Sequence, residues 1–475
     1  MNGDSEQKNK NIDARIVKRY VLKGTVKLES PLLIGGGEGN AFIDINILKD
    51  SNGNPLIPGT SLAGVLLSMC GEKYKIFFGK MSKEKKKSSQ DTQSMLSIDD
   101  ISLKDCKITV RDGVKINRNT GVAEDKSKFD YEAVERGAKG NFKMTLSLRE
   151  RFKNENSDEF IKALAAMLRH GIFLGAHTTK GFGKICAEQI SLDVYDYSKP
   201  EDVKAWLQDK PCPSNLLDGQ TYSENEIAEN CFSVEADFVL NSSLIVRTSR
   251  YDETYSDIYV DLEKIAAVQL LSNGDYVIPG SSIRGVICQR AEEILKACGS
   301  KNYENALKSL FGFASENKKE KEYTGKKSRL AVEECYISRS NGSVKPCKQT
   351  RNKIDRFTGG TIEGALFEEI PIWNKKGSSQ PYIKLRFMIK TCQPWEAGLM
   401  MFVLKDLWES DLAIGGEKSI GRGTLKGVKA KINYNMKNNP IVAELTEENG
   451  KIKISGCSME KLENLAKAFK AEAAK

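Results

Sequence analysis

The chain has 475 residues, 40% of them hydrophobic and 29% charged, enough to bury two or three cores at the usual domain size. The 73 basic and 64 acidic residues leave a formal charge of +9, too small an excess to identify a polyanionic partner by itself. No apolar run reaches the roughly 18 to 20 residues that span a bilayer, and the opening MNGDSEQKNKNIDAR lacks a signal peptide's apolar core, so a cytoplasmic protein with no membrane partner is expected. The 11 cysteines are odd in number and include no Cys-x-x-Cys pair, which argues against a disulfide scaffold or a zinc site and for reduced, structural thiols.

In chain order, residues 1–15 read as a flexible arm. A strand ending in Val26 and Leu28 leads to the glycine-rich GGGEGNAFIDINILKD (Gly35 to Asp50) and then to LIPGTSLAGVL (Leu56 to Leu66). After Ile-Pro-Gly a helix is predicted, capped by Thr60 and Ser61, with Leu62, Val65, Leu66 and Met69 at i, i+3, i+4 and i+7 forming a buried stripe. FFG (Phe77 to Gly79), the lysine-rich KMSKEKKKSSQ (Lys80 to Gln90), SMLSIDD (Ser94 to Asp100) and VKINRNTG (Val114 to Gly121) follow. A second helix carries Phe160, Leu164, Met167 and Leu168, and LGAHTTKGFGK (Leu174 to Lys184) opens a last strand to Leu192.

Apart from the glycine-rich stretch, these phrases return in the same order. VIPGSSIRGVI (Val277 to Ile287) repeats the first at 278 − 57 = 221 residues, its helix capped by Ser281 and Ser282 and burying Ile283, Val286 and Ile287. LFG (Leu310 to Gly312), NKKEKEYTGKK (Asn317 to Lys327) and SRLAVEE (Ser328 to Glu334) come next. NKIDRFTG (Asn352 to Gly359) matches at 358 − 120 = 238, and IGGEKSIGRGT (Ile414 to Thr424) at 421 − 181 = 240. Phe232, Val234, Ala236, Phe238 and Leu240 alternate as a half-buried strand, Trp395, Leu399, Phe402 and Val403 mark the second helix, and Thr424 to Ile432 the last strand.

Ordered matches with slowly drifting offsets mark a tandem duplication with loop insertions. The first copy spans about 16–194, a proline-containing connector 195–230, the second copy 231–430, and a strand and helix the tail 431–475. Strand, helix, strands, helix, strand is the order of an α+β, ferredoxin-like (RRM-like) domain, so two such domains in tandem are expected. The open face of such a sheet often binds single-stranded RNA, although the aromatic pairs of a standard RRM are not evident.

Ile-Pro-Gly-[Ser/Thr]-Ser-[Leu/Ile]-x-Gly, Phe-Gly, Arg-x-Thr-Gly and a terminal Gly-x-Gly loop, in that order, resemble the RAMP superfamily of CRISPR systems. The likeness is greatest to the backbone subunit of type III effector complexes, with two copies fused as in type III-D-like variants, and it covers most of both repeats. It implies ferredoxin-like RAMP cores with inserted loops and thumb hairpins, stacked along a guide crRNA and holding its backbone. It further implies a complementary target RNA, a guide–target duplex distorted at regular intervals, and partners that include a large polymerase-like subunit and further RAMP subunits. Several members of the family cut the target with an aspartate in the loop before Ile-Pro-Gly. Asp44 in FIDINILKD occupies that position, with Asn46 where the family often has proline. In the second copy Ala266 or Ala267 aligns with Asp44, and the preceding loop RTSRYDETYSDIYVDLEKIA is acidic. Asp261, in the family's Val-Asp-Leu form, and then Asp257 are its candidates for a cutting acid, against a merely solvated loop.

RNA carries its own nucleophile, the 2′-hydroxyl, so the protein has to align the strand and manage protons or charge. A carboxylate with an ordinary pKa of about 3.9 is a poor base at neutral pH without geometric help or a divalent cation such as Mg2+ or Mn2+. Asp44 is therefore a base, a metal ligand, or a residue that caps a turn. Lys180, Gly181, Gly183 and Lys184 in one loop, and Lys418, Gly421, Arg422 and Gly423 in the other, place backbone amides beside basic side chains and are expected to contact RNA. Gly36, Gly37, Ser61, Ser282, Arg118, Arg284 and Arg356 complete the expected contacts. His170 and His177 are the only histidines. His177, whose counterpart at 177 + 240 is Glu417, reads as an exposed loop residue, or as the acid–base group of a guide-processing nuclease. Three functions compete: an RNA-guided subunit with an endoribonuclease centre, a non-catalytic crRNA scaffold, and a stand-alone guide-processing nuclease.

Overall fold

The computed structural model describes residues 15–37, 43–79, 92–117, 120–218, 230–248, 255, 265–314, 325–375, 382–437, 439–448 and 450–474. It divides into two compact units. The first comprises Met1–Lys115, Asp125–Thr178 and Phe182–Glu224; the second comprises Ile116–Glu124, Thr179–Gly181 and Asn225–Lys475.

The framework of the first unit is β1 (Ile16–Leu28), α1 (Gly59–Met69), β2 (Leu96–Ile98), β3 (Lys139–Arg149), α2 (Ser157–His170) and β4 (Lys184–Asp196). Its strands lie in the order β4-β1-β3-β2, all neighbours antiparallel, which is the ferredoxin-like order. Alternation along β1 buries Tyr20, Leu22, Val26 and Leu28, and Leu22 stands opposite Met144 on one side and Leu192 on the other. Phe160, Ile161, Leu164 and Leu168 of α2 close that layer, with Phe77 stacked on Phe160 at 4.5 Å.

The start of α1 differs from the sequence expectation. Pro58, held extended at φ −62 and ψ 135, occupies the capping position, and no side chain there closes the helix. Thr60 and Ser61 already lie inside the first turn. The Gly59 N–H donates instead to the Asp100 carboxylate at 2.7 Å, an acceptor that satisfies one of the helix's otherwise unpaired amides. A Cβ at Gly59 would collide with the Ile98 carbonyl oxygen, so glycine lets the helix abut β2. The buried stripe narrows to Leu62 and Leu66, since Val65 is half-buried and Met69 exposed.

The segment after β4 is more ordered than a plain connector. Pro200–Leu207 forms helix α3, its Trp206 packs edge-on against Tyr195 at 5.1 Å, and the Arg19 guanidinium lies 4.3 Å from the indole centroid.

The second unit repeats the framework with β5 (Phe232–Leu240), α4 (Gly280–Ala297), β6 (Leu330–Val332), β7 (Ile383–Ile389), α5 (Pro394–Trp408) and β8 (Leu425–Tyr434). The strand order is again the ferredoxin-like β8-β5-β7-β6. Phe232, Val234, Ala236, Phe238 and Leu240 are all buried. Pro279, not Ser281 or Ser282, precedes the first turn of α4, again without a capping side chain. Of the expected α5 stripe, Leu399 and Val403 are buried, while Phe402 is exposed and meets Phe469 at 5.4 Å. The tail forms a hairpin rather than one strand: β9 (Ile441–Glu448) and β10 (Lys451–Ser455) extend the sheet from β8. Helix α6 (Met459–Ala473) then packs on α5, closely enough that a Cβ at Gly398 would collide with the Leu465 carbonyl. Among the described residues no helix is long and apolar enough to cross a membrane, and the cysteines are free.

Candidate nucleic-acid interface

The Arg-x-Thr-Gly phrases are hairpin turns of one design. Gly121 N–H donates to Asn117 O and Asn117 N–H to Val122 O, both at 2.8 Å; Gly359 donates to Asp355 and Asp355 to Gly360, both at 2.9 Å. Asn117 Oδ1 accepts from Thr120 N, and Asp355 Oδ1 accepts from the amides of Phe357 and Thr358 and from the Thr358 hydroxyl. These bonds, the Thr358 amide's first, hold the Asp355 pKa below its usual value. Gly121 and Gly359 supply the left-handed turn residue at φ 70 and 68. The hairpins carry apolar side chains into solvent: Ile116 and Val122 in one, Ile354 and the 100% exposed Phe357 in the other. Arg356 is exposed beside Phe357; Arg118 lies outside the described residues.

Asp44 is exposed at a bend. Its N–H donates to Asp130 O at 3.0 Å, and the Asp130 N–H donates to Asp44 Oδ2 at 2.7 Å, so one carboxylate oxygen caps a neighbouring strand. Ile45 then bridges Tyr131 in parallel. In the second unit Ala267 pairs in parallel with Glu369. Leu32 and Val134 exchange two backbone bonds of 2.9 Å, as do Leu244 and Ile372, so by 372 − 134 = 238 Glu369 is the counterpart of Tyr131. Ala267 therefore matches Ile45, and the exposed Ala266 stands where the first unit has Asp44. Asp257 and Asp261 lie outside the described residues. Among those described, no group of three or more His, Cys, Asp or Glu side chains is arranged to hold a metal ion, so the described side chains do not by themselves form a cation site.

The two Gly-x-Gly loops share their backbone bonds. Leu174 N–H donates to Gly183 O and Gly183 N–H to Pro31 O at 3.0 and 2.7 Å; Ile414 donates to Gly423 and Gly423 to Ser243 at 2.9 and 2.7 Å. Gly183 and Gly423 are buried with φ 79 and 83, and a Cβ on either would collide with the carbonyl of Leu174 or Ile414. These two glycines therefore serve the turn rather than an RNA contact. His177 and Glu417 both sit in the left-handed region, at φ 58 and 57.

Inside the same backbone the contents diverge. In the first unit His177 is half-buried, not an exposed loop residue: its ring lies 5.4 Å from Tyr131 and 6.0 Å from Phe182, which are themselves 5.9 Å apart. The Arg111 guanidinium lies 5.3 Å from the Phe182 ring and pairs with Glu135 at 3.4 Å, both residues buried.

In the second unit Arg422 replaces Phe182 and is 2% exposed, which corrects its expected role as a direct RNA contact. Its Nε lies 3.0 Å from Glu417 Oε2, its Nη2 lies 3.6 Å from Glu369 Oε2, and Nη2 donates to Gln349 Oε1 at 2.7 Å. Arg247 spans Glu369 and Glu417 at 3.2 and 3.6 Å, and Arg351 spans the same two carboxylates at 3.8 and 3.6 Å. Burial, then the Glu417 carboxylate, push the Glu369 pKa up against the pull of Arg247 and Arg422. Arg247, Arg351, Gln349 and Glu369 were not legible as site residues; they come from three short strands far apart in the chain, Gln349 and Arg351 sharing one, and only folding gathers them.

The other expected contacts scatter. Gly36, Gly37, Lys418 and Gly421 are exposed, Ser61 and Ser282 half-buried, and Gly181 buried. Lys180 is half-buried, and burial lowers its pKa. Lys184 is half-buried with its ammonium 5.8 Å from the Phe173 centroid. Arg284 donates to the Phe311 carbonyl at 2.5 Å, tied to its own unit.

Two repeats of one strand order, each with its hairpin and glycine loop, define a duplicated α+β protein. The RAMP superfamily model matches residues 25–186 and 260–426, one region in each repeat, and the chain belongs to that superfamily, whose members are CRISPR-associated RNA-binding proteins. No curated protein matches the chain.

Proposed function

We propose that the chain is a backbone subunit of a type III CRISPR ribonucleoprotein effector that holds crRNA and cuts complementary target RNA at Asp44. The observation that carries the reading is the hairpin present once per repeat, built by the same bonds and ending in exposed apolar side chains, above all Phe357. Water does not favour such tips, and base steps offer them an apolar surface. Two hairpins per chain fit a duplex distorted at intervals, with further RAMP subunits and a large polymerase-like subunit as the remaining partners.

At the scissile step the 2′-hydroxyl oxygen attacks the adjacent phosphorus and the 5′-oxygen of the next nucleotide leaves. Asp44 is the exposed carboxylate set to receive the hydroxyl proton. The described side chains do not by themselves complete a cation site, so Mg2+ or Mn2+ enters the proposal as an ion brought with the RNA, its requirement read by chelation. With the assembled complex and end-labelled target, Asp44→Ala is expected to remove one cut by about 10²- to 10⁴-fold, the usual contribution of a proton-transfer group, while guide binding stays intact. An unchanged cleavage ladder overturns the assignment. The same assay on Asp261→Ala and Asp257→Ala asks whether the second repeat cuts. The non-catalytic scaffold is the second reading, favoured by the bond from the Asp130 amide that already occupies one oxygen of Asp44.

A further inference from the structure

We infer that Arg247 and Arg351 form a phosphate seat for single-stranded RNA in the second unit, braced from beneath by Glu369, Glu417 and Arg422. The inference rests on the reading of the chain as an RNA-binding subunit and adds a site that exists in one repeat only.

Three guanidiniums meet two carboxylates, so the cluster keeps a net positive charge. Three guanidiniums also bring more N–H donors than two carboxylates and the Gln349 amide oxygen can accept. The buried Nη1 and Nε of Arg422 have no hydrogen-bond partner among the described residues, and neither do the two Glu369 oxygens or Glu417 Oε2, so the cluster is held by charge rather than by formed hydrogen bonds. Two of the three arginine side chains reach solvent, Arg247 with 49% and Arg351 with 31% of the side chain exposed, while the Glu369 side chain is fully buried. Each of the two lies within ion-pair distance of both carboxylates, Arg247 at 3.2 and 3.6 Å and Arg351 at 3.8 and 3.6 Å. Ion pairing restrains these side chains before any ligand arrives, and a guanidinium offers its N–H groups as a planar fork that suits an acceptor-only tetrahedral anion. Among the described residues the neighbouring charges do not cancel the seat: Lys348 pairs with Glu368 at 2.6 Å, and Lys418 is exposed next to Glu417.

The first unit cannot offer the same seat. Leu244 and Leu32 are counterparts, so by 244 − 32 = 212 Gly35 stands for Arg247. Arg111 opposes Tyr131 as Gln349 opposes Glu369, so Gly113 stands for Arg351. Where the second unit has two half-exposed arginines over carboxylates, the first has two glycines over an aromatic cluster.

The test measures binding of the full-length chain to a labelled single-stranded RNA by fluorescence anisotropy across a salt series, with an unfolding curve for every variant. Arg247→Ala and Arg351→Ala are each expected to weaken binding about three- to tenfold and to flatten the plot of log affinity against log salt by about 0.7, the signature of one lost phosphate contact. Arg247→Lys keeps the charge without the fork and is expected to recover only part of the loss. Glu417→Ala is the discriminating variant. It removes a negative charge beside the site and would tighten RNA binding if the arginines were merely solvated; as a brace, its loss weakens binding. Glu417→Gln, which keeps one acceptor oxygen and the side-chain shape, weakens it less and serves if the alanine variant unfolds. Unchanged affinity and slope in both arginine variants, or tighter binding in folded Glu417 variants, overturns the seat. Displacement of the RNA by polyglutamate of matched charge, undiminished in the arginine variants, places the RNA elsewhere and also overturns it. A wild-type chain that binds no RNA at any salt sinks the underlying RNA-binding reading instead.

Discussion

His177 with Tyr131 and Phe182, and Glu417 with Glu369 and Arg422, fill the same three places in two copies of one fold. One set is an aromatic cluster and the other an ion cluster, yet the loops that hold them share their backbone bonds and even the left-handed conformation at His177 and Glu417. The loop geometry is therefore set by main-chain bonds and by glycines that leave no room for a side chain. The interior of the loop only has to be filled compatibly. Aromatic burial does this through area and edge-to-face contact. An ion cluster does it at roughly no net gain over apolar packing, but it holds its members in place and is costly to break by halves.

The comparison can be broken most sharply at Glu369. Glu369→Ala leaves Arg422 buried with one carboxylate fewer and is expected to cost about 3–5 kcal/mol, measured as lost unfolding free energy in denaturant. Transplanting the first unit's pair, Glu369→Tyr with Arg422→Phe, is expected to be more stable than either single variant; a double variant worse than both would show that the two interiors are not interchangeable. In the other direction His177→Glu sets a carboxylate against Tyr131 and Phe182, where the nearby Arg111 is already paired with Glu135, and is expected to cost about 1–3 kcal/mol. Burial raises that carboxyl's pKa, so the variant recovers stability as the pH falls through the raised value, and the same curve taken at two pH values reads this.

The smallest effect concerns the approach to Ile-Pro-Gly, where the second unit uses the short hairpin of Leu271–Ser272 with Asp275–Ile278 and the first a turn braced by Asp50. The Ser102 hydroxyl, together with bonds from Asn52 and Asn54, lowers the Asp50 pKa to about 2. A lowered pKa gives stability that is present above the unfolded value and lost as pH falls through about 2. The difference in thermal midpoint between wild type and Asp50→Asn should therefore be constant through neutral and mildly acidic pH and shrink toward pH 2.

Much of the framework was legible because it is written twice. The ordered phrases gave the duplication and the ferredoxin order, and alternation gave strands such as β5. The helix starts misled, because Ser and Thr after Ile-Pro-Gly resemble caps, whereas the proline already holds the capping position and the acceptor is Asp100, 41 residues along the chain. The arginine seat was invisible for a related reason. Arg247, Arg351, Glu369 and Arg422 come from four segments, assembled by the parallel pairing of Ile265–Gln269 with Phe367–Ile370 and the antiparallel strands beside it. Asp44 could be placed by its motif, but not the Asp130 amide bound to it, which lies 86 residues away.

The bare Phe357 ring has a consequence for the life of the chain before assembly. A fully exposed aromatic with Ile354 and Leu366 nearby in sequence and also in water is a sticky surface wherever nothing covers it. Free chain released from its nucleic acid should clump as concentration rises and stay dispersed when RNA is present, so that solubility itself becomes a report on loading.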